Sequence, residues 1–196
     1  MKREENSFTE ASMEDISLHI LDIVENSIAA GADMIEIITF EDKKRDLLTL
    51  EINDNGKGMD EETRKKAIDP FFSTKATRRF GLGLPLLAEA TRAANGDISV
   101  LSNPGEGTRI KAQFSYSHID RKPLGDINQT ILTLAMGNPD IDFIYKHIKN
   151  GCTYCLSTKK IKAKLKDKSM NSLEGIKLLK EKLEEMQKKL KSEEKG

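Results

Sequence analysis

The chain has no tryptophan, two cysteines, three tyrosines and five prolines among its 196 residues. Two cysteines in a chain of this size do not make a disulfide framework, so stability has to come from a packed core. Net charge is also missing: lysine plus arginine and aspartate plus glutamate each number 32. That balance argues against nucleic acid or an anionic membrane as partner. No stretch approaches the roughly 18 apolar residues that a membrane-crossing helix needs. Met1 to Asn6 carries charge with no apolar run behind it, which does not read as a signal peptide. No internal repeat is visible. The expectation is a soluble, cytoplasmic protein made of one ordinary domain plus extra material.

What is present is a regular alternation of elements. Residues 1–12 are polar and read as a flexible N-terminus. A helix is expected from Ser12 or Met13, because Ile16, Ile20, Ile23, Val24 and Ile28 recur at helical spacing and Gly31 follows as a stop. Asp22 and Asn26 are four apart and share one face of it, with His19 three before Asp22. Met34 to Phe40 reads as a strand and Glu41 to Asp46 as a charged turn. Leu48 to Ile52 alternates strictly, as a half-buried strand does, and delivers Asp54 at its end. Asp60 to Ile68 reads as a short polar helix ended by Pro70. A further helix follows Gly83 through Leu86, Leu87, Ala90 and Ala93 and closes at Asn95-Gly96. Ile98 to Leu101 and Thr108 to Phe114 form an expected hairpin. The order α, β, β, α, loop, α, β, β predicts a two-layer α/β sandwich, a mixed sheet with helices on one face.

Beyond Ser117 the pattern changes. Asp126 to Met136 reads as helix, and Asp142 to Ile148 pairs with Cys152 to Ser157 across Lys149-Asn150-Gly151. Residues 159–168 hold six lysines against Asp167, read as a solvated surface rather than a nucleic-acid site. A last helix runs from Ser172 to Lys191, with Asn171 as cap and Glu174 three residues on. Its stripe of Ile176, Leu179, Leu183, Met186 and Leu190 either docks on its own domain or pairs two chains. The boundaries that result are 1–12, 13–118, 119–168 (a small α/β extension) and 169–196 (an amphipathic helix). Cys152 and Cys155 read as two structural thiols, because residues three apart on a strand face opposite sides. His118 and His147 show no partner in the sequence.

The chemistry concentrates between Asp54 and Gly83. Asp54-Asn55-Gly56-Lys57-Gly58-Met59 sets a carboxylate before two glycines, and Phe80-Gly81-Leu82-Gly83-Leu84 sets two more at the start of a helix. Glycine lets backbone approach a ligand, and helix N-terminal amides favour phosphate. A carboxylate beside such a turn accepts a hydrogen bond from an exocyclic amine. Asp54 therefore suits the N6 amine of adenine, with Met59 packing on the ring. Asn26 offers an amide oxygen to Mg²⁺, an ion that takes few protein ligands and keeps several waters. Lys75, in Asp69-Pro70-Phe71-Phe72-Ser73-Thr74-Lys75, adds positive charge near the phosphates.

In this order the segments resemble the GHKL ATP-binding domain shared by gyrase, heat-shock chaperones, histidine kinases and MutL-type mismatch-repair proteins. Leu21 to Ala32 is similar to the family's N box, Asp54 to Met59 to its first glycine box, Asp69 to Lys75 to its F box and Gly81 to Leu84 to its second glycine box. Gly105-Glu106-Gly107-Thr108 matches its last box, where the threonine lies near adenine. The wording from the F box to Thr108 is similar to histidine kinases, while the N box leans toward MutL. The resemblance implies a left-handed βαβ sandwich of Bergerat type. It implies ATP and Mg²⁺ as ligands, bound by Asn26, Ala30, Asp54, Gly56, Gly58, Met59, Phe72, Thr74, Lys75, Gly81, Leu82, Gly83, Leu84 and Thr108, with Asn26 on the metal. It also implies a protein substrate or regulatory partner.

Three departures from the family pattern stand out. Hydrolysing members carry Glu four residues before the box Asn, and Asp22 stands there; it is either the base or a water-mediated magnesium contact. Arg79 replaces a glycine that histidine kinases usually carry. The eighteen residues ahead of His19 are too few for a dimerisation helix pair with a phospho-accepting His, so transfer is expected to be to a partner. His19 itself is expected to be packed rather than phosphorylated. The lid, Ala76 to Phe80, is short. The resulting expectation is a stand-alone kinase or kinase-like regulator. The alternatives are an ATP-gated binding module and a slow ATPase using Asp22.

Overall fold

Six strands form one mixed sheet in the order β3-β4-β2-β1-β5-β6 in a computed structural model that describes residues 15–68, 83–166 and 168–192. The strands are β1 (Met34–Asp42), β2 (Leu47–Asp54), β3 (Asp97–Asn103), β4 (Gly107–Ser115), β5 (Asp142–Lys149) and β6 (Cys152–Ser157). The helices are α1 (Ile16–Ala29), α2 (Glu61–Ile68), α3 (Gly83–Ala93), α4 (Ile127–Gly137), α5 (Thr158–Leu165) and α6 (Leu173–Ser192). All neighbouring strands are antiparallel except β1 and β5. The α/β sandwich with helices over one face agrees with the sequence reading.

Register explains the single core. Side chains alternate across a strand, so directly paired positions share a face. Ile37 pairs with Ile52 and Tyr145, Ile52 with Ile110, and Tyr145 with Leu156. All of these are buried, and they meet Ile16, Ile20, Ile23, Val24, Leu87, Ile131 and Leu179 from the helices. The other face is polar. Glu36 joins Lys146 at 2.6 Å and accepts from Asn53 at 3.1 Å, while Glu51 pairs with Arg109 at 2.9 Å.

Several boundaries differ from the sequence reading for local reasons. α1 begins at Ile16, not at Ser12 or Met13, because Asp15 takes an extended backbone and its carboxylate accepts the Leu18 N–H at 3.1 Å. β1 runs on through the supposed charged turn to Asp42, since Glu41 is buried and paired rather than solvated. The cap of α6 is Ser172, whose hydroxyl accepts from Gly175 N–H at 3.2 Å; Asn171 lies one residue outside. The lysine-rich stretch contains a helix, α5, which buries Ile161 and Leu165 and donates from Lys162 to the Ile141 carbonyl at 2.8 Å.

The C-terminal segment adds to the sheet. β5 lies parallel to β1, and Asp142 N–H donates to the Asp33 carbonyl at 2.8 Å where the two strands begin. The stripe of α6 is spent inside the chain, with Leu179, Leu183 and Met186 buried against α4, α5 and β6. Docking of the stripe on its own chain, one of the two expectations, is what the fold shows, and it removes this apolar surface from water.

Candidate functional site

α1 is the element on which the candidate residues converge. One face of the helix packs on the sheet through Ile16, Ile20, Ile23 and Val24, which leaves Asp22 and Asn26 half-buried along one flank. Glu25 is exposed on another side of the helix, as its place in the turn requires.

Asp54 sits at the end of β2, opposite Ile35 on one side and Thr108 on the other. Its Oδ1 accepts from the Gly56 N–H at 2.9 Å and the Thr108 N–H at 3.2 Å. Its Oδ2 accepts from the Ser27 hydroxyl at 2.7 Å. A carboxylate offers about four acceptor positions. Among the described residues three are used, and the one left belongs to Oδ2. The arrangement holds the carboxylate rigid while keeping one acceptor for a ligand donor.

The first glycine segment is laced to its surroundings. Lys57 N–H donates to the Ala30 carbonyl at 3.0 Å, which ties the loop to the end of α1. Gly58 has φ 65°, and a Cβ there would stand 1.9 Å from the Asn103 carbonyl oxygen, so neither conformation nor space admits a side chain. Met59 N–H donates to Ser102 Oγ at 2.8 Å, and Ser102 Oγ lies 2.9 Å from Thr108 Oγ1. Thr108 is thereby placed beside Asp54 and Met59. Asn55 is a peg: its Oδ1 accepts from the Asp33 and Met34 N–H groups at 3.1 and 3.0 Å.

α3 brings Gly83, the last glycine of the second segment, to α1. A Cβ on Gly83 would stand 2.6 Å from the Cβ of Asp22 and 3.2 Å from its Oδ2. The Asp22 carboxylate therefore rests against the first residue of α3, with Leu84 buried just behind. Burial, followed by the charge of Glu25, raises the Asp22 carboxyl above the usual aspartate value. His19, one turn earlier, is 2 % exposed, and its Nδ1 has no hydrogen-bond partner among the described residues. Burial lowers its pKa to about 4, with Asp15 opposing and Lys122 adding to the effect. It is a packed neutral histidine, as expected.

Of the sequence-derived set, Asp22, Asn26, Ala30, Asp54, Gly56, Gly58, Met59, Gly83, Leu84 and Thr108 lie around α1 and the ends of β2 and β4. Phe72, Thr74, Lys75, Gly81 and Leu82 lie outside the described residues, as do Arg79 and the lid 76–80. Two residues went unread in the sequence. Ser27 holds Asp54, and its signal was its place on the buried face of α1 beside Asn26. Ser102 joins Met59 to Thr108, and no local pattern marks it.

Comparison with known proteins gives a family and several relatives. The family described as histidine kinase-, DNA gyrase B- and HSP90-like ATPase matches residues 13–118. The sensor histidine kinase YxdK of Bacillus subtilis is 33% identical over 99 residues, which cover 47% of this chain and 30% of that protein. The signal transduction histidine-protein kinase AtoS of Escherichia coli is 39% identical over 92 residues, covering 45% of this chain and 14% of that protein. The chain thus spans less than a third of the length of these two relatives. The solved Aquifex aeolicus MutL ATPase domain complexed with ADP aligns with a TM-score of 0.46 at 16% identity, over 76% of this chain and 68% of that one.

Proposed function

Because the chain belongs to the histidine kinase-, DNA gyrase B- and HSP90-like ATPase family, we propose that it binds Mg-ATP at this site and passes the γ-phosphoryl group to a residue on a partner protein. One observation carries the reading. A single helix, α1, contacts both halves of the site, with Ser27 on the Asp54 carboxylate and Asp22 against the start of α3. Asp54 takes the adenine amine on its remaining acceptor position, Thr108 and Met59 flank the ring, and the N-terminus of α3 faces the phosphates. Phosphoryl transfer asks little covalent chemistry of the protein; positioning and charge neutralisation do most of it.

Among the described residues no three His, Cys, Asp or Glu side chains gather as a metal site. Magnesium would therefore rest on Asn26, the nucleotide's own phosphates and water, and would neutralise phosphate charge when bound. Residues 13–118 are taken as the nucleotide-binding unit, 119–168 as the extension and 169–196 as the closing helix. No helix among the described residues is long and apolar enough to cross a membrane; a cytoplasmic location is part of the proposal.

A second reading, slow hydrolysis, is favoured by Asp22 itself. A carboxyl raised by burial is a better proton acceptor than a solvated one, and this one rests where the phosphates are expected. In that reading water oxygen bonds to the γ-phosphorus, the bond to the bridging oxygen breaks, ADP leaves and the water proton goes to Asp22. ATP labelled at the γ-phosphate, incubated with the protein and candidate partners, separates the readings. Label on a partner supports transfer. Released phosphate that disappears in Asp22→Asn, with nucleotide still bound, supports hydrolysis. Nucleotide binding without either supports an ATP-gated binding module and refutes both.

A further inference from the structure

β6 ends the sheet, and among the described residues no strand pairs with its outer edge. A cleft of about 400 Å³ runs along that edge between α5 and α6. Five consecutive residues, Thr153 to Ser157, line it. Side chains of a strand alternate between faces, so five in succession border one cleft only when the cleft looks onto the strand's side, at its backbone. A terminal strand presents unused N–H and C=O groups there, a template for another strand.

The rest of the cleft defines what would enter. Leu156, Ile161, Leu178 and Met186 give it an apolar floor. Lys160, Lys164, Lys182 and Lys189 stand around it against one acid, Glu185, which Lys182 already pairs. Lys160, Lys164 and Lys189 make no salt bridge among the described residues. From Leu178 to Lys189 the α6 wall rises roughly 16 Å at about 1.5 Å per residue, the length of about five residues of extended chain. The charge calls for an acidic occupant, the floor for alternate apolar side chains, and the exposed backbone for an extended conformation.

We propose that this cleft takes an extended acidic segment of a partner protein, with apolar residues at every second position, which adds to β6 as a further strand. Main-chain hydrogen bonds to the β6 edge hold the segment, and the apolar floor and lysine rim select it. The site lies three strands from β2.

The probe is a fluorescein-labelled hexapeptide of alternating glutamate and valine, titrated with the full chain and followed by anisotropy. Saturable binding is expected, weakened at least tenfold by Lys164→Glu combined with Lys189→Glu, and at least tenfold by N-methylation of every second amide of the peptide. The methylated peptide needs no protein variant, so a folding defect cannot mimic it. No saturable binding overturns the proposal, as does equal affinity for the methylated peptide. Binding of a fluorescent fatty acid in place of the peptide also overturns it, by showing a small-amphiphile pocket instead. Retained nucleotide binding in the lysine variant keeps this result separate from the phosphoryl-transfer reading.

Discussion

Two carboxylates on β1 and β2 stand at opposite ends of one sheet, and they are used in opposite ways. Asp54 is half-buried at the end where β2 meets α1. Glu41 is 5 % exposed, near the other end of β1 and about 20 Å away at the rise of a strand. Glu41 is fully engaged inside the chain: Oε1 lies 2.6 Å from His147 Nε2 and 3.6 Å from Lys149 Nζ, and Oε2 accepts from Tyr116 at 3.2 Å. His147 Nδ1 continues to the Tyr145 hydroxyl at 2.9 Å, and that hydroxyl to Thr39 at 3.3 Å. Burial alone would raise the Glu41 carboxyl. The hydrogen bond from His147 and the charges of Lys149 and His147 outweigh it and hold the carboxyl below the usual glutamate value. Asp54 keeps an acceptor position in reserve. A closed network secures the fold; an open one receives a ligand.

The largest expected effect lies at the closed end. Glu41→Ala leaves His147 buried without the carboxylate that lies 2.6 Å from it and is expected to cost about 3–5 kcal/mol in urea unfolding, with nucleotide affinity of the folded protein unchanged. Loss of nucleotide binding at equal stability would break the comparison. At the open end, Asp54→Asn turns an amide N–H group toward donors or toward the adenine amine. It is expected to weaken ATP about a hundredfold by calorimetry, equivalent to ~2.7 kcal/mol, and to lower unfolding stability by less than about 1.5 kcal/mol. Equal losses in both measurements would erase the distinction.

The smallest effect is the pH response of the region between them. His19 folds with its pKa lowered to about 4 against an ordinary value of 6.5. Between those values the unfolded chain holds a proton that the folded one does not, so stability falls as pH drops from 6.5 toward 4. Glu41, with a depressed carboxyl, stabilises above its unfolded value and loses that contribution as pH falls through the folded one. The two act in successive windows. His19→Gln is expected to flatten the slope of unfolding free energy between pH 6.5 and 4.5 and leave the lower window intact. An unchanged slope would exclude His19 as its source.

Legibility in the sequence followed range. α1 and the β3–β4 pair were readable because periodicity, caps and turn glycines act within a few residues. Asp54, Gly58, Met59 and Thr108 could be named as candidates because a short motif carries its own chemistry. Ser27 and Ser102 were not, since a serine announces no partner. Glu41 was misread as turn because a Glu-Asp-Lys-Lys run looks solvated until His147 and Lys149 arrive from β5. That pairing spans 106 residues, beyond the reach of any local signal.

By itself, then, the sequence determined most of the helices and strands, though not α5 or the far end of β1, and it ordered the motifs that define an ATP-binding chain. These follow from local propensity and from residue types whose chemistry is their own. Tertiary structure alone decided that Ser27 fixes Asp54, that Asp22 rests on the start of α3, and that β5 joins β1 in parallel and so closes the Glu41 network. It also decided that α6 covers its own domain and leaves a lysine-rimmed cleft beside β6. Each of these depends on sheet register and on the meeting of surfaces far apart in the chain, where burial selects the partner.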